Sequence, residues 1–89
     1  GVSGEIANKM GEIMKKMSRQ MQVFAITHLP QIAAKGDQHY KVFKFTEGEN
    51  TVSEIKLLQT EDRISEIAEM LSGKNITESA LNHAKALLN

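Results

Sequence analysis

The 89-residue chain contains no cysteine, no tryptophan, one proline, three phenylalanines and one tyrosine. Without cysteine it can form neither disulfides nor thiolate metal sites, and nothing indicates an oxidising compartment. Its 11 basic and 11 acidic side chains balance, which removes the broad electrostatic argument for binding nucleic acid or an anionic membrane. No apolar run approaches the roughly 20 residues of a membrane span, and the N-terminus lacks the layout of a secretion signal. A cytoplasmic location is therefore expected.

The most informative segment covers residues 23–31 and reads VFAITHLPQ. Its first four residues are apolar and two of them are β-branched, which predicts a strand over about residues 22–26 that is buried on both faces. A threonine and His28 follow where this strand would end, and Pro30 suits the first turn of a new helix. Because open α/β sheets bind ligands at the carboxyl ends of their strands, His28 is a candidate functional residue. The alternative is a histidine that only caps the next helix or hydrogen-bonds locally.

Apolar residues at helical spacing predict a first helix, with Ser3 as its N-cap. We expect the apolar face of this helix to pack against a sheet as part of an ordinary core. The alternative is a pliable binding face, because methionine adapts to many partners. This face consists of Ile6, Met10, Ile13, Met14 and Met17.

The rest of the chain predicts an antiparallel hairpin and two closing helices. Thr60 and Thr77 are the expected N-caps of these helices, and Gly73 is expected to end the first of them. The other predicted elements are a short helix over 30–34 and hairpin strands over 38–46 and 51–59, joined by a turn at 47–50. The predicted fold is α/β, in the order helix, buried strand, short helix, antiparallel hairpin, helix, helix, within a single segment over residues 1–89.

Other short motifs carry little chemistry. No phosphate loop of the form G-x-x-x-x-G-K-[ST] occurs, and residues 71–74 (LSGK) are better explained as a helix end. The starting residues GVSG are no nucleophile elbow, because no strand precedes them within this sequence. The three histidines share no metal-ligand spacing. We expect His39 on a strand surface and His83 on the exposed or flanking side of the last helix.

Three stretches resemble the RecN family of bacterial DNA repair proteins, which are ATP-binding-cassette ATPases of the structural-maintenance-of-chromosomes type. Residues 1–7 (GVSGEIA) resemble the D-loop that follows the Walker B acids. Residues 26–33 (ITHLPQIA) resemble the switch-histidine loop, and residues 63–73 with 76–84 resemble the two closing helices. The similarity extends over essentially the whole chain and is to the C-terminal part of the ATPase head.

This resemblance implies a role for each of the first two stretches. His28 would be the switch histidine, whose imidazole approaches the γ-phosphate of ATP and helps to hold the attacking water. The D-loop residues would reach across a head-to-head dimer toward the second nucleotide; they are Gly1, Val2, Ser3 and Gly4. The parent protein would repair DNA double-strand breaks by recombination, associate with the nucleoid, and have ATP, DNA and a second ATPase head as partners.

The phosphate-loop lysine, the magnesium ligands, the signature serine and the Walker B glutamate of that family lie outside these 89 residues. Phosphoryl transfer depends on such groups, so ATP and magnesium are expected as cofactors of a longer parent. We expect this chain alone to bind neither ATP nor magnesium and to hydrolyse no ATP. The chain starts as if in the middle of a loop, and we expect it to be part of a larger protein.

The resemblance also implies that the strand at 22–26 lacks its Walker B neighbour. Unpaired strand edges recruit other chains, so self-association is expected. An alternative function, from a different class, is a small noncatalytic protein-interaction module. Its binding surfaces would be the hairpin edge and the methionine-rich face of the first helix.

Overall fold

A computed structural model describes residues 3–89, which form four helices and one two-stranded antiparallel sheet. The predicted N-terminal helix, short helix, hairpin and two closing helices are confirmed. In chain order the elements are α1 (Gly4–Met17), α2 (Pro30–Ala33), β1 (Tyr40–Glu47), β2 (Asn50–Leu57), α3 (Thr60–Ser72) and α4 (Glu78–Leu88).

The core lies where α3 and α4 pack together and cover the end of α2. Ile67, Ala68 and Ala84 have no exposed surface, and Ala34, directly after α2, belongs to the same cluster. Small alanines let the helices approach closely, and larger side chains surround them at the boundary. These partly buried residues are Ile64, Leu71, Leu81, Leu87 and Leu88.

Helix caps explain where α1 and α4 begin. The Ser3 hydroxyl accepts a hydrogen bond from the Ile6 amide at 3.3 Å, and the Thr77 hydroxyl accepts one from the Ala80 amide at 3.0 Å. Both satisfy amides that the first helical turn leaves unpaired, as predicted. The prediction for Thr60 is wrong: Gln59 occupies the N-cap position of α3 without a side-chain cap bond, and Thr60 is already helical.

The hairpin pairs Tyr40 with Leu57 at its base and Glu47 with Asn50 at its tip. Gly48 in the turn has φ of 62°, a conformation that glycine adopts without steric cost. Lys41 and Glu66 form an ion pair at 2.8 Å that joins β1 to α3. Most side chains of both strands are exposed, so the hairpin extends from the helical core.

The predicted buried strand at 22–26 is wrong for this chain. Residues 22–29 form no regular element, and β1 and β2 are the only paired strands within residues 3–89. Phe24 is 83% exposed and Ile26 is fully exposed. A strand requires hydrogen bonds to a neighbour, and a local run of apolar residues cannot supply that neighbour.

The expected packing of the α1 apolar face against a sheet is also wrong. Helix α1 instead contacts α2 through its two buried residues, Ala7 and Gly11. A Cβ atom on Gly11 would lie 3.1 Å from the Gln31 carbonyl oxygen, so the absence of a side chain permits this close contact. The larger apolar residues on the neighbouring face of α1 remain exposed; they are Ile6, Met10, Ile13 and Met17.

None of the helices within residues 3–89 is long and apolar enough to cross a membrane.

Candidate functional site

His28 lies near the end of the irregular segment 22–29, two residues before α2, and its side chain is exposed. The turn that holds it is fixed from both directions. The Thr27 hydroxyl accepts a hydrogen bond from the Leu29 amide at 2.9 Å, and the following Pro30 is buried at the first position of α2. The backbone around His28 is therefore anchored while its imidazole faces solvent, which suits a group that must reach a ligand.

The α1–α2 contact brings the start of α1 next to Gln31 in α2. Ser3 caps α1, and Gly4 follows it. A Cβ atom on Gly4 would lie 3.2 Å from the side-chain nitrogen Nε2 of Gln31, and Gln31 is three residues after His28. One D-loop candidate, Gly4, thus lies against the stretch 26–33 that contains His28. Ser3 directly precedes it, and the other two candidates, Gly1 and Val2, lie outside the described residues.

Arg63 bonds to the end of α2, although no pattern in the sequence singled this residue out. Its Nη2 atom donates hydrogen bonds to the carbonyl oxygens of Ala33 at 3.1 Å, Ala34 at 3.4 Å and Gly36 at 2.5 Å. The first two carbonyls belong to the end of α2, where helical carbonyls lack partners within the helix. Burial lowers the pKa of Arg63 from its ordinary value, and the Asp37 carboxylate partly opposes that effect.

The contact could not be found from apolar spacing, since Arg63 bonds to backbone atoms about 30 residues away. The only available signal was the position of Arg63 inside the stretch that resembles the closing helices. That signal suggested membership of a motif and gave no bonding partner.

His39 does not lie on a strand surface as predicted. It directly precedes β1, is partly buried, and its Nδ1 atom is buried without a hydrogen-bond partner in the described part of the chain. Burial lowers the pKa of His39, the nearby Arg63 charge lowers it further, and Glu66 acts in the opposite direction. His83 is exposed on α4, in agreement with its prediction.

The magnesium ion implied by the family resemblance has no set of protein ligands here. Among residues 3–89, no group of three or more histidine, cysteine, aspartate or glutamate side chains is arranged to hold a metal. The described residues therefore do not fit a magnesium site of their own.

No family model matches the chain, but several curated proteins do. It is 47% identical over 88 residues to DNA repair protein RecN of Rickettsia conorii, covering 99% of this chain and 16% of that protein. It is 46% identical to RecN of Deinococcus radiodurans, covering 99% of this chain and 15% of that protein. It is 36% identical to RecN of Haemophilus influenzae, covering 99% of this chain and 16% of that protein. The chain spans about a sixth of the length of these relatives. It is therefore homologous to a segment of about 88 residues of DNA repair protein RecN.

Proposed function

We propose that this chain is the C-terminal part of the ATP-hydrolysing head of a RecN-type protein, and that it contributes the D-loop and the switch histidine to the ATPase site. The observation that carries the proposal is the α1–α2 contact, in which Gly4 lies against Gln31, so that the two stretches that resemble these motifs meet. Homology over 99% of the chain to a DNA repair protein supports the same assignment. ATP, DNA and a second head are the partners of the longer protein in this proposal.

The setting of His28 supports the proposed γ-phosphate contact. Its side chain is exposed, while the backbone on its C-terminal side enters a buried helical turn at Pro30. A rigid base reduces the reorganisation needed when negative charge develops on the phosphate. Through a ring nitrogen, His28 would orient the attacking water and stabilise that charge.

Ser3 and Gly4 lie at the start of α1, where the proposed D-loop would face a second head. Ser3 is exposed and already uses its hydroxyl as a helix cap, which fixes the direction in which the chain enters α1. Gly4 leaves room for the amide end of the Gln31 side chain, which would have to shift by a few tenths of an ångström if position 4 carried a side chain. We propose that these residues transmit the position of a second head to the histidine loop.

In this proposal the chain positions catalytic groups and does not neutralise the negative charge of the phosphates. Magnesium and a phosphate loop would supply the positive charge that phosphoryl transfer needs, and the described residues of this chain form no site for the metal. No catalytic step of the metal is assigned to them. Their contribution is to place His28 and the D-loop correctly, and misplacement by about 1 Å can already lower a rate by roughly a hundredfold.

A segment exchange tests this function. The homologous 88 residues of Deinococcus radiodurans RecN are replaced by this chain, and ATP turnover and ATP binding are measured with and without His28→Ala. We expect His28→Ala to raise the free-energy barrier to turnover by about 2–4 kcal/mol, the scale of one transition-state contact. The value of kcat falls accordingly, and ATP affinity changes little. His83→Ala is the matched control, because His83 is also exposed but lies on α4. An unchanged kcat in the His28 variant would refute the proposed role of His28.

A noncatalytic interaction module is the second candidate function, and one observation favours it. Most of the larger apolar side chains of α1, together with Phe24 and Ile26 after it, are exposed instead of forming a core. Large exposed apolar patches mark association sites. If the exchanged protein loses partner binding after Met10→Ser and Met17→Ser but keeps ATP turnover, the module explains the surface better than the ATPase does.

A further inference from the structure

Helix α2 cannot be stable on its own. It has four residues, whereas isolated helices shorter than about 12 residues are marginal in water. Its own backbone bonds join the Ala33 amide to the Leu29 carbonyl at 3.0 Å and the Ala34 amide to the Pro30 carbonyl at 2.9 Å. After the helix, the Lys35 amide bonds to the Ile32 carbonyl at 3.0 Å and the Gly36 amide to the Ala33 carbonyl at 3.4 Å, which leaves acceptor capacity at this end for partners from elsewhere in the chain.

Arg63 supplies those partners from a different element. One guanidinium nitrogen reaches three carbonyl groups at and just after the end of α2, those of Ala33, Ala34 and Gly36. Its positive charge lies at the end of the helix where the macrodipole is negative. The planar, branched guanidinium suits several acceptors at once, whereas a lysine ammonium is a compact single point. Arg63 itself belongs to α3, the helix that contains the fully buried Ile67.

His28 is connected to this arrangement through a short path. Arg63 holds the end of α2, Pro30 begins α2, and the Leu29 amide bonds to the Thr27 hydroxyl. His28 lies inside that last turn. A change in the orientation of α2 would therefore move the backbone that carries the imidazole.

We propose that Arg63 is a positioning residue for His28: by bonding to the end of α2 it fixes the turn that presents the imidazole. This inference rests on the proposed function of His28, and it adds a residue on α3 that lies outside the switch-histidine loop and the D-loop. Arg63 itself touches neither nucleotide nor water in this proposal. It acts through α2.

The first test uses the 89-residue chain and needs no ATP turnover. Hydrogen exchange at the Ala33 and Ala34 amides and the imidazole NMR signals of His28 are compared among wild type, Arg63→Met and Arg63→Lys. In Arg63→Met we expect exchange at these amides to accelerate at least tenfold and the His28 signals to shift. Amides around Ile67 should keep their protection, which shows that the α3–α4 core is intact.

Two variants make this test specific. Arg63→Lys keeps the charge and should retain part of the protection, since an ammonium can still reach one carbonyl. Arg19→Met removes an exposed arginine elsewhere and should leave both readouts unchanged. Unaltered exchange and unaltered His28 signals in Arg63→Met would overturn the proposal.

The second test is a double-mutant cycle in the exchanged RecN protein. Arg63→Met should lower kcat about tenfold without changing the KM for ATP, and it should lower kcat no further when His28 is already alanine. Additive losses would mean that Arg63 affects turnover by another route, which would also overturn the proposal. If His28→Ala alone leaves kcat unchanged, the proposed function fails, and this inference fails with it. The exchange data then still show whether Arg63 holds α2, so the two failures can be told apart.

Discussion

The apolar faces of α1 and α3 have similar spacing and opposite environments. On α3, Ile67 has no exposed surface, because α4 and the end of α2 cover it. On α1, Ile13 is 59% exposed, and the helix contacts α2 through Ala7 and Gly11 instead. Hydrophobic periodicity thus identifies which face of a helix is apolar. It does not show whether the chain provides anything to cover that face.

The difference follows from where each partner lies in the sequence. Helices α3 and α4 are consecutive and joined by a short connection, so each covers the other. The segment after α1 is apolar as well, but its Phe24 side chain is 83% exposed. Two neighbouring apolar regions therefore remain open, and the stable part of the molecule is expected to be the α2–α3–α4 region.

The largest expected effect comes from a substitution on the buried face of α3. Ile67→Ala should lower the free energy of unfolding by about 2–5 kcal/mol, since it removes buried methyl groups and leaves a cavity. Ile13→Ala, the matched change on α1, should stay within about 0.5 kcal/mol. Urea denaturation of both variants, followed by circular dichroism, measures the difference. Equal losses would show that the α1 face contributes to the core after all.

Substitution of Gly11 tests the contact that α1 does make. Gly11→Leu should lower the free energy of unfolding by about 1–3 kcal/mol, because even a Cβ atom would lie 2.9 Å from Cγ of Lys35 and 3.1 Å from a carbonyl oxygen of α2. Glu12→Leu changes the next, exposed residue and serves as the control. Hydrogen exchange at α2 should accelerate only in the Gly11 variant. Unchanged stability and exchange would place α1 away from α2.

These contrasts also explain how much the sequence could predict. The hairpin, the closing helices and the Ser3 and Thr77 caps depend on local residues, and all were predicted. The candidate at His28 came from a polar residue after an apolar run, and its exposure suits that role. The pairing of residues 22–26, the burial of the α1 face, the partly buried His39 and the bonds of Arg63 depend on distant partners. Local pattern contains no information about those partners.

The exposed side of the comparison predicts self-association of the 89-residue chain. Phe24 and Ile26 are exposed, and their segment pairs with neither strand of the hairpin, so a second copy can cover them. Phe24→Ser with Ile26→Ser should weaken association at least tenfold, or about 1.4 kcal/mol, in sedimentation at micromolar concentration. Met10→Ser with Met17→Ser tests the α1 face separately. A monomeric wild-type chain would refute the prediction.

The smallest expected effect concerns pH and the junction between the helical region and the hairpin. Burial is the main cause that lowers the pKa of His39, and the positive charge of Arg63 lowers it further. The Glu66 carboxylate raises this pKa and so partly opposes both effects. The unfolded chain, with an ordinary histidine pKa of about 6.5, therefore takes up a proton at a higher pH than the folded chain does. Stability from this group is complete above about pH 6.5 and declines as the pH falls toward the lowered pKa of the folded state.

Urea denaturation between pH 8 and pH 5 measures that decline, and His39→Gln should make it shallower. His83→Gln, at an exposed position on α4, should leave the decline as it is in wild type. Asp37 does not interfere, because its hydrogen bond to Lys15 lowers its pKa below 3.8 and its contribution is lost only in more acidic solution. An equal slope in wild type and His39→Gln would mean that His39 is as solvated as in the unfolded chain. The junction beside Arg63 would then be open, like the face of α1, and the buried part of the molecule would end at α3.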